Sequence, residues 1–342
     1  MEIQKNDTKI NSKIINNPNE ILKKLELGIS IPIWSEFYKY ILHDLNFFQA
    51  KSMIFEIDGD PVGHILIYSD MDNILYFGYV GVKDHNKKII KYLIDELIKY
   101  AREHNFNLIR GPINIPAVIY GYGFMKEGSL DDLFAAKPVN PPIYQNLFRK
   151  SGFYVKFQEY TWEGPFLRVN PYRLTGFDFS EYEYFTPDSW DKLMKLKSIF
   201  LEINAKNFPD SSKITPNIGE LFDNYADFII TYGGFYMFYF VRHIPTDKII
   251  GCGCNLPNPF SKDAKGRYNS IVGYSYAVEP EHRKKSLAIL MYGANSMDAW
   301  SNKMRFGSVV TGEAHDKGTT LMEKMVGIKL KRTHLILEAV LD

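Results

Sequence analysis

Residues 277–288 read Ala277-Val278-Glu279-Pro280-Glu281-His282-Arg283-Lys284-Lys285-Ser286-Leu287-Ala288. They link a strand-like run, NSIVGYSYAV (269–278), to a helical pattern, SLAILMYGANSMDAWSNK (286–303). A strand that bends at a proline and opens into a helix leaves the first helical N–H groups without intrahelical partners, at the positive end of the helix dipole. Such an end binds a phosphate or pyrophosphate, and Arg283, Lys284 and Lys285 add attraction. The alternative is a solvated basic helix start. Cations there oppose the dipole, so a bound anion helps to explain them.

Outward from this junction the chain reads as two copies of one unit. The second copy has a hairpin, FYMFYFVRHIPTDKIIGCGCNLP, turning at Pro245-Thr246-Asp247. The junction above follows, then a strand GSVVTGEA, a helix TTLMEKM, Val326-Gly327-Ile328 and a last strand pair, IKLKRTHLILEAVL. The first copy keeps that order. Its hairpin, SMIFEIDGDPVGHILIYSD, turns at Asp58-Gly59-Asp60-Pro61. A strand NILYFGYVGV, the tetrad His85–Lys88, a helix IIKYLIDELIKYAREHN and a strand FNLIRGPIN come next, and YQNLFRK, Ser151-Gly152-Phe153 and a strand pair close the copy. The tetrads His85–Lys88 and His282–Lys285 lie 197 residues apart, but Gly152 and Gly327 only 175. The first copy therefore carries roughly two dozen extra residues, within 115–142, which suit a functional loop or an acceptor-site cover. Strands alternating with helices predict an α/β protein (α+β mixed sheets) with units at 1–165 and 166–342. The aromatic, Pro- and Gly-rich junction between them suits a packed connector.

The motif V-x-P-x-x-R-x-x-S-x-A, carried by Val278, Pro280, Arg283, Ser286 and Ala288, resembles the coenzyme A pyrophosphate motif of the GNAT N-acyltransferase superfamily, with serine where the middle glycine is usual. The order of elements in both copies is similar to that fold, so the resemblance spans nearly the whole chain as a tandem pair. Gly111-Pro112-Ile113-Asn114 and Asn140-Pro141-Pro142-Ile143-Tyr144 resemble a bacterial GNAT-like group marked by a G-P-x-N strand end. The first copy's phosphate loop is degraded. It has no arginine, glycine or serine at the key places, and Ile89 crowds them.

The resemblance implies transfer of an acyl group from acyl-CoA, acetyl-CoA or longer, to an amine, with acyl-CoA as co-substrate and no permanently bound cofactor. Val278, Arg283, Lys284, Lys285, Ser286, Leu287 and Ala288 would then hold the donor, and a backbone N–H near Val278 would serve the oxyanion. The tyrosine usual in the late Y-E-K segment of GNATs is replaced by Phe148 and Met322, neither of which donates a proton. Tyr276, which alternation puts on one strand face with Tyr274, is a substitute acid. Glu313 and His315 close the fifth strand on one face, where a carboxylate–imidazole pair suits a general base. The alternative is a surface strand end followed by a helix-capping Asp316. Asn114, Tyr120 and Tyr122 in the first copy are candidate substrate-binding residues, with a folded-over core segment the alternative.

Composition excludes several other classes. With 41 Lys and Arg against 40 Asp and Glu, the net charge of +1 gives no electrostatic excess for nucleic acid. This weighs against a second reading of the chain as a tandem transferase that takes aminoacyl groups from tRNA. A third reading is a non-catalytic acyl-CoA-binding scaffold. The longest apolar run, Phe235–Val241, is too short to span a bilayer, and the N-terminus has no apolar signal core. A cytoplasmic protein acting on a small-molecule or peptide amine is expected. Scattered histidines without H-x-x-x-H spacing predict no metal site. Cys252 and Cys254 are expected to be small buried residues.

Overall fold

The computed structural model describes residues 9–28, 32–69, 73–128, 134–165, 167–207, 215–216, 219–311 and 327–341, apart from the side chains of Lys284 and Thr311. The first half runs β1 (Ile10–Ile15), α1 (Pro18–Leu22), α2 (Tyr38–Phe47), β2 (Lys51–Ile57), β3 (Asp60–Ser69), β4 (Ile74–Val82), α3 (Lys87–Glu103) and β5 (Leu108–Gly111). It continues with α4 (Ala117–Tyr120), β6 (Phe124–Gly128), α5 (Ile143–Lys150) and β7 (Tyr154–Pro165). The second half runs β8 (Tyr182–Phe185), α6 (Trp190–Asn207), α7 (Phe222–Tyr232), β9 (Phe238–His243), β10 (Lys248–Pro257), β11 (Ser270–Val278), α8 (Leu287–Ser301), β12 (Phe306–Thr311) and β13 (Lys329–Val340).

Local chemistry explains these elements. Asp58 and Gly59 both take positive φ (52° and 87°), as the two-residue turn of a right-twisted hairpin requires. Asp247 does the same at the end of the second hairpin. In α3, Ile90, Leu93, Ile94, Leu97 and Ala101 recur at helical spacing and are buried.

Among the described residues the strands form one mixed sheet in the order β1-β2-β3-β4-β5-β13-β7-β12-β11-β10-β9-β8, with β6 also paired to β13. The two halves exchange strands. β13 from the chain's end pairs with β5 through Leu337–Val340, and β7 from the first half pairs with β12 along Tyr160–Pro165. Each expected terminal strand pair is therefore a single twelve-residue strand. Arg332, Thr333 and His334 are polar residues inside the expected strand pair IKLKRTHLILEAVL. They lie in the middle of β13 and are buried, because partners are supplied from elsewhere.

Three buried ion pairs line the exchange: Arg332 Nε to Glu163 Oε1 (3.1 Å), Arg110 to Glu338 (2.7 Å), and Lys137 Nζ to Glu159 Oε1 (2.5 Å). Removing one partner of such a pair leaves an uncompensated buried charge, which is strongly destabilising. The largest core crosses both halves under α1, α2, α6 and α7, and separate cores lie beneath α3 with α5 and beneath α8. Buried Asp44 of α2 accepts hydrogen bonds from Tyr225 (3.0 Å) and Asn224 (2.9 Å) of α7, joining the halves. Cys252 and Cys254 are buried free thiols.

Candidate functional site

β11 and β12 run parallel and pair only from Ser270–Gly273 against Phe306–Val309. Beyond that point they part, while residues 275–278 stay bonded to β10. The fork opens at Tyr274. A register shift between Cys254 and Asn255 places a bulge at Tyr274 and breaks the alternation that sequence predicts. Tyr276 faces α8: it lies opposite Gly253, and its hydroxyl donates to the Ala288 carbonyl at 2.5 Å. Tyr274 instead packs with the core under α6 and α7. Burial, then the nearby Cys254 and Glu159, raise its pKa above the ordinary phenol value. The two tyrosines thus serve opposite faces.

From Val278 the chain makes a 3₁₀ turn, Pro280–Lys285, and enters α8 through Ser286 at φ 57°, ψ 26°. A left-handed residue there accounts for the glycine usual at this motif position. The Ser286 side chain makes no capping bond, so it does not occupy the N–H groups of the first turn. Arg283 is committed to the protein: Nε donates to the Val278 carbonyl (3.0 Å) and the guanidinium donates to Asn207 Oδ1 (2.7 Å) at the end of α6. Lys206 pairs with Glu279 at 2.8 Å beside it. Lys285 and Ala288 are exposed, whereas Leu287 is buried beneath α8. Arg283 therefore shapes the loop, and Lys285 and Ala288 face outward.

The first half closes the equivalent fork with its own chain. β4 and β5 pair over Ile74–Tyr76, and residues 111–121 then fold back into the gap. The Ile113 N–H donates to the Phe77 carbonyl (2.7 Å), and Asn114 Oδ1 accepts from the Tyr79 N–H (2.7 Å). Asn114 Nδ2 donates to the Tyr120 carbonyl (2.8 Å). Leu27 and Gly28 press on the same strand so closely that a Cβ on Gly81 would sit 1.9 Å from the Leu27 oxygen. At the start of α3, Asn86 Oδ1 accepts from the N–H groups of Lys88 (2.9 Å) and Ile89 (3.4 Å). Those are the groups a phosphate would need. Asn114 and Tyr120 are buried, at 2% and 0% exposure.

Tyr122 is different. It is half-buried and lies against the Glu159 carboxylate, with Tyr274 nearby, and burial is the main cause of its raised pKa. The inserted loop of the first half thus reaches the open fork of the second. Lys137 from the same loop holds Glu159, and Ala135 N–H donates to Asn258 Oδ1 (3.1 Å) of the second half. Glu159 and Lys137 give no signal in sequence, because FQEYTW reads as an ordinary alternating strand. Glu313 and His315 lie outside the described residues. Among the described residues no group of three or more His, Cys, Asp or Glu could hold a metal ion, and no helix is long and apolar enough to cross a membrane.

No protein-family profile matches the chain, and no curated protein matches it by sequence. Solved structures do. A tandem GNAT protein from the clavulanic acid biosynthesis pathway, determined without acetyl-CoA, superposes with a TM-score of 0.62 at 14% identity over 97% of this chain and 98% of its own. A GCN5-related N-acetyltransferase from Sphaerobacter thermophilus gives 0.59 at 8% identity over 97% and 95%. The glucosamine N-acetyltransferase region of a fungal multi-domain β-N-acetylglucosaminidase gives 0.59 at 14% over 97% of this chain and 38% of that one. The chain has the GNAT fold, as a tandem matched over 97% of its length.

Proposed function

We propose that the chain is an N-acyltransferase that takes its acyl group from acyl-CoA at the fork of the second unit and passes it to an amine. The units divide at 1–165 and 166–342, and the first serves as scaffold and acceptor-side wall. One contrast carries this assignment. Helix α8 starts from an uncapped Ser286 beside an open fork, whereas α3 starts from Asn86, which caps its own N–H groups beside a filled fork. A pyrophosphate binds where helix N–H groups and the dipole are available.

In this scheme the backbone at 286–288 and Lys285 hold the pyrophosphate, with Lys284 beside them. Arg283 fixes the loop through Val278 and Asn207. Open strand positions at 274–278 align the pantetheine arm, and a backbone N–H near Val278 serves the oxyanion. Glu313 and His315 stay candidates for the base from sequence. The clavulanic acid pathway relative and the glucosamine N-acetyltransferase region are consistent with a small-molecule amine acceptor and acetyl-CoA as donor.

The test is thermal unfolding with coenzyme A, acetyl-CoA and a long-chain acyl-CoA. A ligand bound by the folded state alone at a hundred times its Kd stabilises by about 2.7 kcal/mol. The chain length giving the largest rise in Tm identifies the donor class. No rise with any of the three would refute the assignment.

A further inference from the structure

We infer that Glu159, on the strand that the first half lends to the second, is the general base of the second unit's site and takes the proton of a primary ammonium acceptor entering between Tyr122 and Tyr274. This rests on the transferase reading above. Glu159 immediately precedes Tyr160, the first β7 residue paired with β12, and Tyr274 is the first β11 residue beyond the β11–β12 pairing. Both residues therefore stand where the fork opens. Tyr122 hydrogen-bonds to Glu159, and the Glu159 charge acts on Tyr274 as well, so groups from three segments of the chain share one environment. Tyr122 and Tyr274 are half-buried, while Glu159 beneath them is 1% exposed.

Tyr122 and Lys137 hydrogen-bond to the Glu159 carboxylate, yet other polar atoms at this point have no donor among the described residues. Lys137 occupies Glu159 Oε1, while Oε2 has no hydrogen-bond partner among the described residues. His334 lies directly across from Glu159 on β13. Its Nε2–H donates to the Pro138 carbonyl (2.8 Å), which leaves Nδ1 as an unpartnered acceptor. Burial, with the Lys137 charge next, pushes its pKa down to about 3, so the ring is neutral. Thr161, two residues along the same face of β7, also has an unpartnered hydroxyl. A carboxylate oxygen, an imidazole nitrogen and a hydroxyl oxygen on neighbouring positions match the three N–H donors of a primary ammonium. Buried polar atoms are rarely left unpaired, so a ligand or ordered water belongs there. The fixed charges nearby, Lys137 and Arg332 against Glu159 and Glu163, already balance. A second lasting cation is not accommodated, and a proton passed to Glu159 is.

The chemistry closes as follows. The ammonium gives one proton to Glu159, the freed amine forms the C–N bond to the thioester carbonyl, and the C–S bond breaks. The second amine proton goes to the coenzyme A thiolate, and Glu159 returns its proton to solvent.

The test uses the full chain with acetyl-CoA and two probe amines, benzylamine, which is protonated at pH 7, and hydroxylamine, which is already neutral. Release of coenzyme A thiol is followed across pH. E159Q is expected to lower kcat with benzylamine by about a hundredfold or more, the usual range for a lost general base. It lowers hydroxylamine turnover far less and leaves the acetyl-CoA Tm shift intact. K137M keeps the carboxylate and is expected to retain more benzylamine turnover than E159Q. Because E159Q strands Lys137, the neutral pair E159Q/K137M supplies the same readout if the single variant does not fold. Equal losses with both amines, or a loss seen only in Glu313→Ala or His315→Ala, would overturn the assignment of Glu159. No turnover by the wild type with either amine would overturn the transferase reading itself.

Discussion

His64 allows a pH prediction whose size follows from structure. It is buried on β3 with both ring nitrogens engaged: Nδ1–H donates to the Tyr79 carbonyl (2.8 Å), and Nε2 accepts from the Ser52 hydroxyl (2.8 Å). Burial lowers its pKa from 6.5 to about 4. The unfolded chain therefore binds a proton near pH 6.5 that the folded chain refuses. Stability is complete above 6.5 and is lost as pH falls toward 4. At 1.36 kcal/mol per pH unit the full effect is about 3 kcal/mol, of which about 2 kcal/mol appears between pH 7 and pH 5. His64→Gln keeps a donor and an acceptor but does not titrate. It is expected to be less stable than wild type at pH 7 and to lose about 2 kcal/mol less on going to pH 5. Urea unfolding of both proteins at the two pH values checks this. An equal fall in both would refute the reasoning. Tyr79, the acceptor of this bond, has φ 48° and also donates its N–H to Asn114, so the histidine supports the closed fork.

Two further outcomes follow from single contacts. Tyr276→Phe removes a hydroxyl that donates to Ala288, so unfolding should show a loss of about 1 kcal/mol while acetyl-CoA turnover persists; a hundredfold fall in kcat at unchanged stability would make this phenol the proton donor after all. Gly81→Ala places a methyl 1.9 Å from the Leu27 oxygen, where backbone must move. The midpoint should fall by the equivalent of about 1–3 kcal/mol, with faster proteolysis near residues 25–28, and an unchanged midpoint would contradict this contact.

Much of the fold was legible because periodicity and turn chemistry are local. Asp58-Gly59 and the α3 pattern specify their own conformations, and the repeat ordered the rest. The strand exchange was not legible, since Arg332 and His334 look like solvent-facing residues until Glu163 and the Pro138 carbonyl arrive from the first half. The Tyr274 bulge escaped because alternation assumes an unbroken register, which a single inserted residue reverses. The candidate phosphate loop stands out in sequence for its charges, yet the structure commits Arg283 to Val278 and Asn207. What marks the loop physically is the left-handed, uncapped Ser286. Glu159 carried no local signal, because its setting is built by Lys137, Tyr122 and His334 from distant segments.

The central claim is one donor site per chain, at the start of α8. Calorimetric titration of acetyl-CoA into wild type, Ser286→Asp and Lys88→Glu tests it most directly. Asp is a good helix N-cap, so α8 persists while the added carboxylate repels a pyrophosphate. The expected result is one site per chain in wild type and Lys88→Glu and no binding in Ser286→Asp. Two sites per chain, or binding that survives Ser286→Asp and is lost in Lys88→Glu, would contradict it.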